Sequence, residues 1–280
     1  MFEILEKDSF CSNVKHMVVS APQIAAKTRP GQFVVVLIHE KAERIPLTIA
    51  DFDREKGTID LVFQEVGKST LEMGTMEIGQ GFQSVIGPLG KPSEIEGFKR
   101  VVCVGGGIGV APVYPIARGY KEHGAEVISV IGARSKPLLV FEERMRGVSD
   151  KLIVCTDDGS YGRKALVTEP LVEILGDRLK PVDVVMAIGP GIMMKFVAKA
   201  TKPFGVRTMV SLNAIMVDAT GMCGACRVEV GGKTMFSCVD GPEFDAHQVD
   251  FDLLMSRQRS YIEEERQATE RFKETGRIIT

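Results

Sequence analysis

The stretch VVCVGGGIGVAPVYP, residues 101–115, marks a change in the character of the chain. Four apolar residues, Val101 to Val104, run into three consecutive glycines, and an apolar segment typical of a helix follows from Val110. This order predicts a strand, a glycine turn and the start of a helix. Glycines at such a turn permit positive φ and let backbone N–H groups approach a ligand closely. Because the spacing is not that of the G-x-G-x-x-G fingerprint, this turn alone leaves a structural role and a nucleotide-binding role equally open.

Short apolar strands alternate with helix-like stretches from Val101 to about Phe204. This alternation predicts a parallel sheet with helices on both faces. The strands are expected at 101–104, 126–131, 151–155 and 182–188, and the helices near 113–123, 138–146, 164–175 and 191–200. Ligands bind such sheets beyond the carboxyl ends of the strands, where this chain places four turns that contain glycine. The candidate nucleotide-binding residues there are Gly105, Gly106, Gly107, Gly109, Ala133, Arg134, Asp157, Asp158, Gly189, Pro190 and Met193.

Two adjacent acids, Asp157 and Asp158, follow the third of these strands. A carboxylate at this edge can accept hydrogen bonds from both ribose hydroxyls of NAD, and it would repel the additional phosphate of NADP. The pair therefore favours NADH over NADPH. The alternative is that both acids cap the following turn, which is common in Asp-Gly sequences.

The first part of the chain, from Phe2 to about Gly97, has a β pattern interrupted by turn signals. A small antiparallel barrel fits this pattern better than a sandwich. Two segments carry chemistry: an extended run that begins with Arg44, and a glycine turn with Lys68 that opens a helix. The second could bind an anion or could be an ordinary capped helix with a solvated lysine. The candidate residues in the two segments are Pro46, Leu47, Thr48, Ile49, Val66, Gly67, Lys68, Ser69 and Thr70.

The composition excludes several classes of protein. The chain has 280 residues, of which 44% are hydrophobic and 26% are charged, and its net charge is -2. These values are ordinary for a soluble globular protein and give no sign of a nucleic-acid partner. No apolar run approaches the roughly eighteen residues of a membrane span, and the N-terminus does not resemble a signal peptide. We therefore expect a cytoplasmic protein.

Three of the six cysteines cluster, at Cys223, Cys226 and Cys238, which in a cytosolic chain indicates metal or redox chemistry. Zinc could complete a Cys3His site with His247. An iron-sulfur cluster with plant-type spacing would take its fourth ligand from Asp218, because the loop then reads D-x4-C-x2-C-x11-C. A thioredoxin-like CxxC or a reducible disulfide lacks the expected strand-then-helix setting.

The last segment, residues 249–280, is highly charged but carries an apolar stripe, which predicts an amphipathic helix. Such a stripe usually packs on its own domain, and a partner subunit is the alternative. The residues of the stripe are Phe251, Leu254, Met255, Tyr261, Ile262, Ala268 and Phe272.

The order of the motifs resembles the ferredoxin reductase superfamily. A predicted barrel is followed by GGGIGVAP, TDDGS, GPGIMMK and a cysteine loop that ends in CVDGPEF. This order resembles electron-transfer subunits of dihydroorotate dehydrogenase and, more closely, small subunits of NADH-dependent reduced ferredoxin:NADP oxidoreductases, which are electron-bifurcating flavoproteins. The resemblance implies an FAD-binding barrel at 1–98, an NAD-binding α/β domain at 99–208, a [2Fe-2S] domain at 209–248 and a C-terminal helix at 249–280.

The resemblance also assigns roles to residues. Residues 46–49 correspond to the segment at the flavin ring, and residues 67–70 to the segment at the FAD phosphates. The superfamily pattern has arginine where this chain has Ile45, and Arg44 stands one place earlier. The CGP motif of the superfamily begins here with Ile188. Asp218 resembles the bifurcating enzymes, because the dihydroorotate-type subunit has cysteine at this first cluster position.

The implied chemistry is electron transfer without a catalytic acid or base. Hydride passes from nicotinamide C4 to flavin N5, which requires stacked rings and little else. Single electrons then pass through the cluster to a large partner subunit, which would carry a second FAD and [4Fe-4S] clusters and react with ferredoxin and NADP. Two alternatives are an electron-transfer subunit of a dihydroorotate or sulfide dehydrogenase and a zinc-containing scaffold that binds a nucleotide without turning it over.

Overall fold

The computed structural model describes residues 2–275. Its first part is one antiparallel sheet of seven strands in the order β6-β1-β2-β5-β4-β3-β7. The elements are β1 (Phe2–Cys11), β2 (Val14–Ser20), α1 (Pro22–Ala25), β3 (Phe33–Leu37), β4 (Arg44–Asp53), β5 (Thr58–Gln64), α2 (Lys68–Gly74), β6 (Gly81–Phe82) and β7 (Ser84–Leu89). The two edge strands, β6 and β7, are separated only by Gln83, so the sheet must curl until its edges meet. The prediction of a barrel is confirmed.

The interior of the barrel is built from side chains that lie in register across neighbouring strands. Met17 of β2 pairs with Leu61 of β5, and Leu61 pairs with Ile49 of β4. All three side chains are essentially inaccessible to solvent. Removing the side chain of such a residue beyond Cβ costs about 2–5 kcal/mol in folding free energy, so this layer fixes the register of the barrel.

A second sheet begins around the glycine-rich stretch at residues 101–115. Its first elements are β8 (Arg100–Gly106), α3 (Val110–Glu122), β9 (Glu126–Ala133), α4 (Glu142–Val148), β10 (Lys151–Thr156), β11 (Arg163–Lys164), α5 (Thr168–Gly176), β12 (Val184–Ile188), α6 (Gly191–Thr201) and β13 (Arg207–Ser211). Every pairing among these strands is parallel. The predicted alternation of strands and helices is confirmed, with β11 and β13 as strands that the sequence pattern did not reveal.

The cysteine segment forms the hairpin of β14 (Arg227–Val230) and β15 (Lys233–Phe236), followed by β16 (Glu243–Asp245). Strand β16 pairs antiparallel with β13 and completes the order β11-β10-β9-β8-β12-β13-β16. The cysteine segment is thereby hydrogen-bonded to the edge of the parallel sheet. Strand β13 crosses the expected domain boundary at residue 208.

The expectation of one C-terminal helix over 249–280 is wrong for the described residues, and 276–280 lie outside them. The structure has α7 (Phe251–Gln258) and α8 (Ile262–Thr275). The break has a physical reason: α7 packs against α6 and β14, whereas α8 reaches α2 of the barrel, and one straight helix could not follow both surfaces. Tyr261 and Ile262 of the expected stripe lie at the break and are exposed. No helix within residues 2–275 combines the length and apolarity that a membrane crossing requires.

Ion pairs join the barrel to the α/β sheet. Arg118 of α3 donates to Asp51 of β4 at 2.5 Å, and Arg144 of α4 donates to Asp60 of β5 at 3.1 Å. The ring of His16 lies 2.8 Å from the same Asp60 carboxylate. Burial tends to raise the pKa of Asp60, yet the hydrogen bonds and charges of His16 and Arg144 hold it below its ordinary value. These contacts fix the position of one sheet relative to the other.

Glu243 of β16 lies where the barrel, the linker that follows it and the α/β sheet meet. Its carboxyl group is hydrogen-bonded to the Ser93 hydroxyl, and the backbone of Gly31 passes so close that a β-carbon there would collide with both side chains. Burial raises the pKa of Glu243 to about 7, against the opposing effects of the Ser93 hydrogen bond and the Arg207 charge. The fold therefore favours the protonated form of this acid.

The raised pKa of Glu243 makes stability depend on pH in a defined direction. Because the folded-state pKa lies above the ordinary value of 4.5, the folded state carries no penalty below about pH 4.5 and loses stability as pH rises through about 7. Glu243→Gln keeps a neutral side chain, so it should stabilise the protein by up to about 3 kcal/mol at pH 8.5 and have little effect at pH 4.5. Thermal unfolding of both proteins across this range measures the difference.

Glu94→Gln is the matched control. Glu94 and Glu243 line one small cavity, but a hydrogen bond to Arg207 lowers the pKa of Glu94, so neutralising Glu94 should destabilise the protein at high pH. If the stability difference between Glu243→Gln and wild type did not change with pH, the raised pKa of Glu243 would be contradicted.

Candidate functional site

The carboxyl ends of four parallel strands lie along one edge of the α/β sheet. Ile188 of β12 pairs with Gly105 of β8, and the next residue, Gly106, pairs with Gly132 of β9. Further along the edge, Ala133 pairs with Thr156 of β10. The structure therefore brings together the four turns that the sequence analysis selected.

The glycines of the first turn serve different purposes. A β-carbon on Gly105 would lie 2.9 Å from the Cα of Val110, and one on Gly109 would overlap with the carbonyl of Ile188. These two glycines allow the turn to pack against α3 and β12. Gly107 has φ +56, and a β-carbon there would meet only open space. Among the four glycines, Gly107 is thus the position where a ligand can approach the backbone.

Met193 joins the first turn to the fourth. Its side chain lies beside both Gly106 and Gly189, where added β-carbons would collide with its sulfur or methyl group. Pro190 directly follows Gly189 and is the residue before α6. Met193 therefore packs the two turns against each other, which is a structural role beside the binding role expected from the sequence.

The two acids of the third turn differ in their partners. Asp158 accepts a hydrogen bond from the backbone N–H of Ser160 at 2.9 Å, and the side chain and the backbone of Ser160 together lower the pKa of Asp158. Its side chain thus caps the turn. Asp157 is exposed, and no donor within the described residues is hydrogen-bonded to its carboxylate. The backbone N–H groups of both acids are hydrogen-bonded to the carbonyls of Ala133 and Arg134, which fixes the turn to the end of β9.

The first barrel segment lies on β4 beside β3, where Thr48 pairs with Phe33 and Pro46 pairs with Val35. Pro46, Leu47 and Thr48 are partly exposed, whereas Ile49 is buried in the barrel core. Arg44 is exposed at the first position of the strand. The surface available to a ligand on this segment is therefore residues 46–48.

The second barrel segment opens α2, as predicted. Thr70 accepts hydrogen bonds at 3.1 Å from the backbone N–H groups of Val66 and Gly67, so these two groups are already satisfied. Lys68 lies 3.8 Å from the buried carboxylate of Glu72, and Ser69 donates to Glu43. A β-carbon on Gly67 would meet no atom within 4 Å. The segment is both a capped helix and an open surface beside a lysine.

The ligand candidates of the cysteine loop form two pairs. The Cys223 thiol donates to the Asp218 carboxylate at 3.2 Å, and the sulfur atoms of Cys226 and Cys238 lie 3.1 Å apart. Backbone N–H groups of Thr220 and Cys223 also donate to Asp218, and together these bonds lower its pKa. A [2Fe-2S] cluster contains two irons, each with two protein ligands. This donor set and its division into pairs fit that group.

The loop has an unusual backbone beside its first candidate ligand. Ala219 has φ +59, a conformation that costs a non-glycine residue about 1 kcal/mol or more. Gly221 and Gly224 also have positive φ. The strain is concentrated where Asp218 is turned toward Cys223, which is typical of a backbone constrained by a functional site.

His247, the fourth ligand expected for a zinc site, lies away from the three cysteines. Its Nε2 atom is 2.9 Å from the Thr201 hydroxyl of α6, and its Nδ1 atom faces Asp245. The hydrogen bond to Thr201 directs the ring toward the α/β domain, so the structure does not bring His247 to the three cysteines as a zinc site would require. Within residues 2–275 there is also no group of three or more His, Cys, Asp and Glu side chains arranged around a single metal position.

Sequence reasoning missed three residues that contact this loop. Arg227 donates to the Gly224 carbonyl and Arg257 to the Ala225 carbonyl, both at 3.1 Å, and Gln258 donates to Asn213. The sequence signal for Arg257 is a cation in the last turn of a helix. Such a cation is favourable at any helix C-terminus because of the helix dipole, so it does not indicate a contact with the loop.

Comparisons with known proteins agree with the geometry. Residues 213–250 match the family described as iron-sulfur cluster binding domain of dihydroorotate dehydrogenase B. A homolog of the electron transfer subunit of dihydroorotate dehydrogenase B (NAD(+)) from Thermotoga maritima is 46% identical over 98% of this chain and 96% of its own length. The corresponding subunit from Shouchella clausii is 30% identical over 88% of this chain and 96% of its own length.

Solved structures show the same fold. A chain from the structure of an NADH-dependent reduced ferredoxin-NADP oxidoreductase, described for flavin-based electron bifurcation, superposes with a TM-score of 0.92 at 44% identity and covers 98% of both chains. A cytochrome P450 reductase from Amycolatopsis shares the fold at 21% identity, with a TM-score of 0.61 over 72% of this chain and 65% of that chain.

These matches support the predicted cofactors, which are FAD, a [2Fe-2S] cluster and NAD(H). The paired donors of the cysteine loop, the barrel joined to a parallel sheet and the extent of the similarity lead to one assignment. The chain belongs to the family of oxidoreductases formed by the electron transfer subunit of dihydroorotate dehydrogenase B and its homologues.

Proposed function

We propose that this chain is the small subunit of an electron-bifurcating NADH-dependent reduced ferredoxin:NADP oxidoreductase. In this role the barrel would hold FAD, which would supply hydride acceptance from NADH, and the cysteine loop would hold a [2Fe-2S] cluster, which would supply transfer of single electrons to a large subunit. The observation that carries the proposal is the contact of Asp218 with Cys223. The resemblance to the bifurcating enzymes implies an aspartate at this first ligand position. The similarity over 98% of both chains to a structure of that enzyme class supports it.

The barrel and the α/β edge would place the two organic cofactors. Residues 46–48 would present a partly exposed strand surface to the flavin ring, and residues 67–70 would present Lys68 and the open space beside Gly67 to the FAD phosphates. The nucleotide would lie along the carboxyl edge, with Gly107 at the pyrophosphate and Asp157 at the ribose. Hydride transfer then depends on how rigidly the two sheets hold the rings together.

The cysteine loop would hold the cluster as two pairs, Asp218 with Cys223 and Cys226 with Cys238. A bound [2Fe-2S] cluster accepts and donates one electron at a time. Cys226 and Cys238 are buried, whereas Cys223 is exposed, so one pair faces the interior and the other faces the surface. This arrangement suits transfer from an internal flavin to an external partner. The partner would contain a second FAD and [4Fe-4S] clusters and would react with ferredoxin and NADP.

A second candidate is the electron transfer subunit of a dihydroorotate dehydrogenase. The match of residues 213–250 to the cluster domain of that enzyme favours it. Both candidates share the chemistry of this chain and differ in the large subunit. A sulfide dehydrogenase subunit would differ in the same way.

The first prediction concerns nucleotide selectivity. Asp157→Asn should remove a charge-assisted hydrogen bond to the ribose and the repulsion of the NADP phosphate, and so reduce the preference for NADH by about tenfold or more. Asp158→Asn is the matched control, because its amide oxygen can still accept from Ser160. Stopped-flow reduction of the flavin by NADH and by NADPH measures both. The assignment is wrong if wild type reacts equally with both nucleotides or if only Asp158→Asn changes the ratio.

The second prediction concerns the fourth cluster ligand. Carboxylate oxygen is a harder ligand to iron than thiolate, so Asp218→Cys should retain a [2Fe-2S] cluster with a shifted reduction potential and an altered electron paramagnetic resonance spectrum. Asp218→Ala should lose cluster occupancy or recruit water. His247→Ala is the control and should keep the cluster. An unchanged spectrum in Asp218→Ala together with bleaching in His247→Ala would refute the aspartate ligand.

The third prediction tests the enzyme as a whole. The chain, purified with its natural partner, should contain FAD and a [2Fe-2S] cluster and should copurify with a large flavoprotein that contains [4Fe-4S] clusters. That complex should reduce NADP only when NADH and reduced ferredoxin are both supplied. Copurification with a dihydroorotate-oxidising flavoprotein would favour the second candidate. A colourless chain that contains zinc would instead favour the nucleotide-binding scaffold.

A further inference from the structure

The last turn of α7 clamps the cysteine loop at two points. Gln258 donates to both the backbone carbonyl and the side-chain oxygen of Asn213, at 2.9 and 2.8 Å, just before the loop. Arg257 donates to the carbonyl of Ala225, between Cys223 and Cys226. These contacts hold the beginning and the middle of the loop from the same helix end.

Helix α7 is itself firmly anchored. Asp250 caps it by accepting from the Leu253 N–H at 2.9 Å, and the Asp250 N–H donates to the Glu229 carbonyl of β14 at the same distance. Phe251 and Leu254 are buried against the rest of the protein. The backbone at Arg257 is therefore held by the cap and the packing of α7 as well as by the hydrogen bond of its side chain to Ala225.

The positive charge at this clamp is not neutralised by a neighbouring acid. Within residues 2–275, neither Arg257 nor Arg227 lies within 4.0 Å of a carboxylate. Both line a cavity of about 220 Å³ between the loop and the end of α7, and no acidic residue lines it. Two guanidinium groups thus lie directly against backbone that connects candidate cluster ligands.

We propose that Arg257 is a positioning residue for the iron-sulfur cluster and that its charge, together with that of Arg227, raises the reduction potential of the cluster. Reduction adds one negative charge to the cluster, and a nearby cation stabilises that charge more than it stabilises the oxidised form. The hydrogen bond to Ala225 holds the guanidinium group against the backbone between Cys223 and Cys226, so its charge would not depend on a mobile side chain. This inference rests on the proposed cluster site.

The experiment compares three variants of the full chain loaded with its cluster. Arg257→Gln removes the charge, Arg257→Lys keeps it, and Arg259→Gln removes one charge from an exposed neighbour for which no contact with the loop is seen. Iron and sulfide analysis gives cluster occupancy, and a redox titration followed by electron paramagnetic resonance gives the potential. We expect Arg257→Gln to shift the equilibrium toward the oxidised cluster by about tenfold, which is ~59 mV for one electron.

Arg257→Lys and Arg259→Gln should remain close to wild type in both measurements. If Arg257→Gln instead loses the cluster while the other two variants retain it, the positioning role is supported through occupancy. The proposal is overturned if Arg257→Gln matches Arg259→Gln in occupancy and potential, or if Arg257→Lys departs from wild type as far as Arg257→Gln does. A wild-type chain that cannot hold a cluster would overturn the proposed function itself.

Discussion

The arrangement of the molecule depends on the ion pairs between the barrel and the α/β sheet. Asp51 and Asp60 belong to barrel strands. The arginines that bind them, Arg118 and Arg144, belong to helices that pack on the parallel sheet. Taking such charges out of water is costly, so the pairs contribute little net stability, but removing one partner would leave the other charge poorly solvated and unpaired. The pairs therefore specify one relative placement of the sheets, and a reaction between two stacked rings requires such a placement.

The cysteine loop belongs to the same frame. One continuous apolar core includes Phe33 of the barrel, Val104 of the parallel sheet and Cys238 of the loop. Strand β16 adds backbone hydrogen bonds between the loop segment and β13. Because packed interiors transmit displacement instead of absorbing it, the three candidate cofactor sites have a fixed spacing. Electron transfer between them would need no large movement within this chain.

Features with a repeating pattern could be predicted from the sequence. Apolar periodicity identified the barrel and the alternating sheet, and ligand spacing selected Asp218 and the three cysteines. The short strands β11 and β16 could not be predicted, because two or three residues carry no periodicity and pair only through tertiary context. The contact of Arg257 with Ala225 joins residues 32 positions apart and has no local signature. Adjacent glycines also look alike in the sequence, although Gly105 serves packing and Gly107 faces open space.

Charged groups lie on both sides of Cys223 in the cysteine loop. Asp218 is held by two backbone N–H groups and one thiol, and these hydrogen bonds favour its ionised carboxylate. Arg227 and Arg257 hold carbonyls on the other side of Cys223. In the proposed cluster site, a hard anionic ligand would act on the cluster through covalency, and two fixed cations would act on it through the electrostatic field. The reduction potential of a cluster bound there would be a balance between these two effects, and the position of α7 would set the electrostatic part.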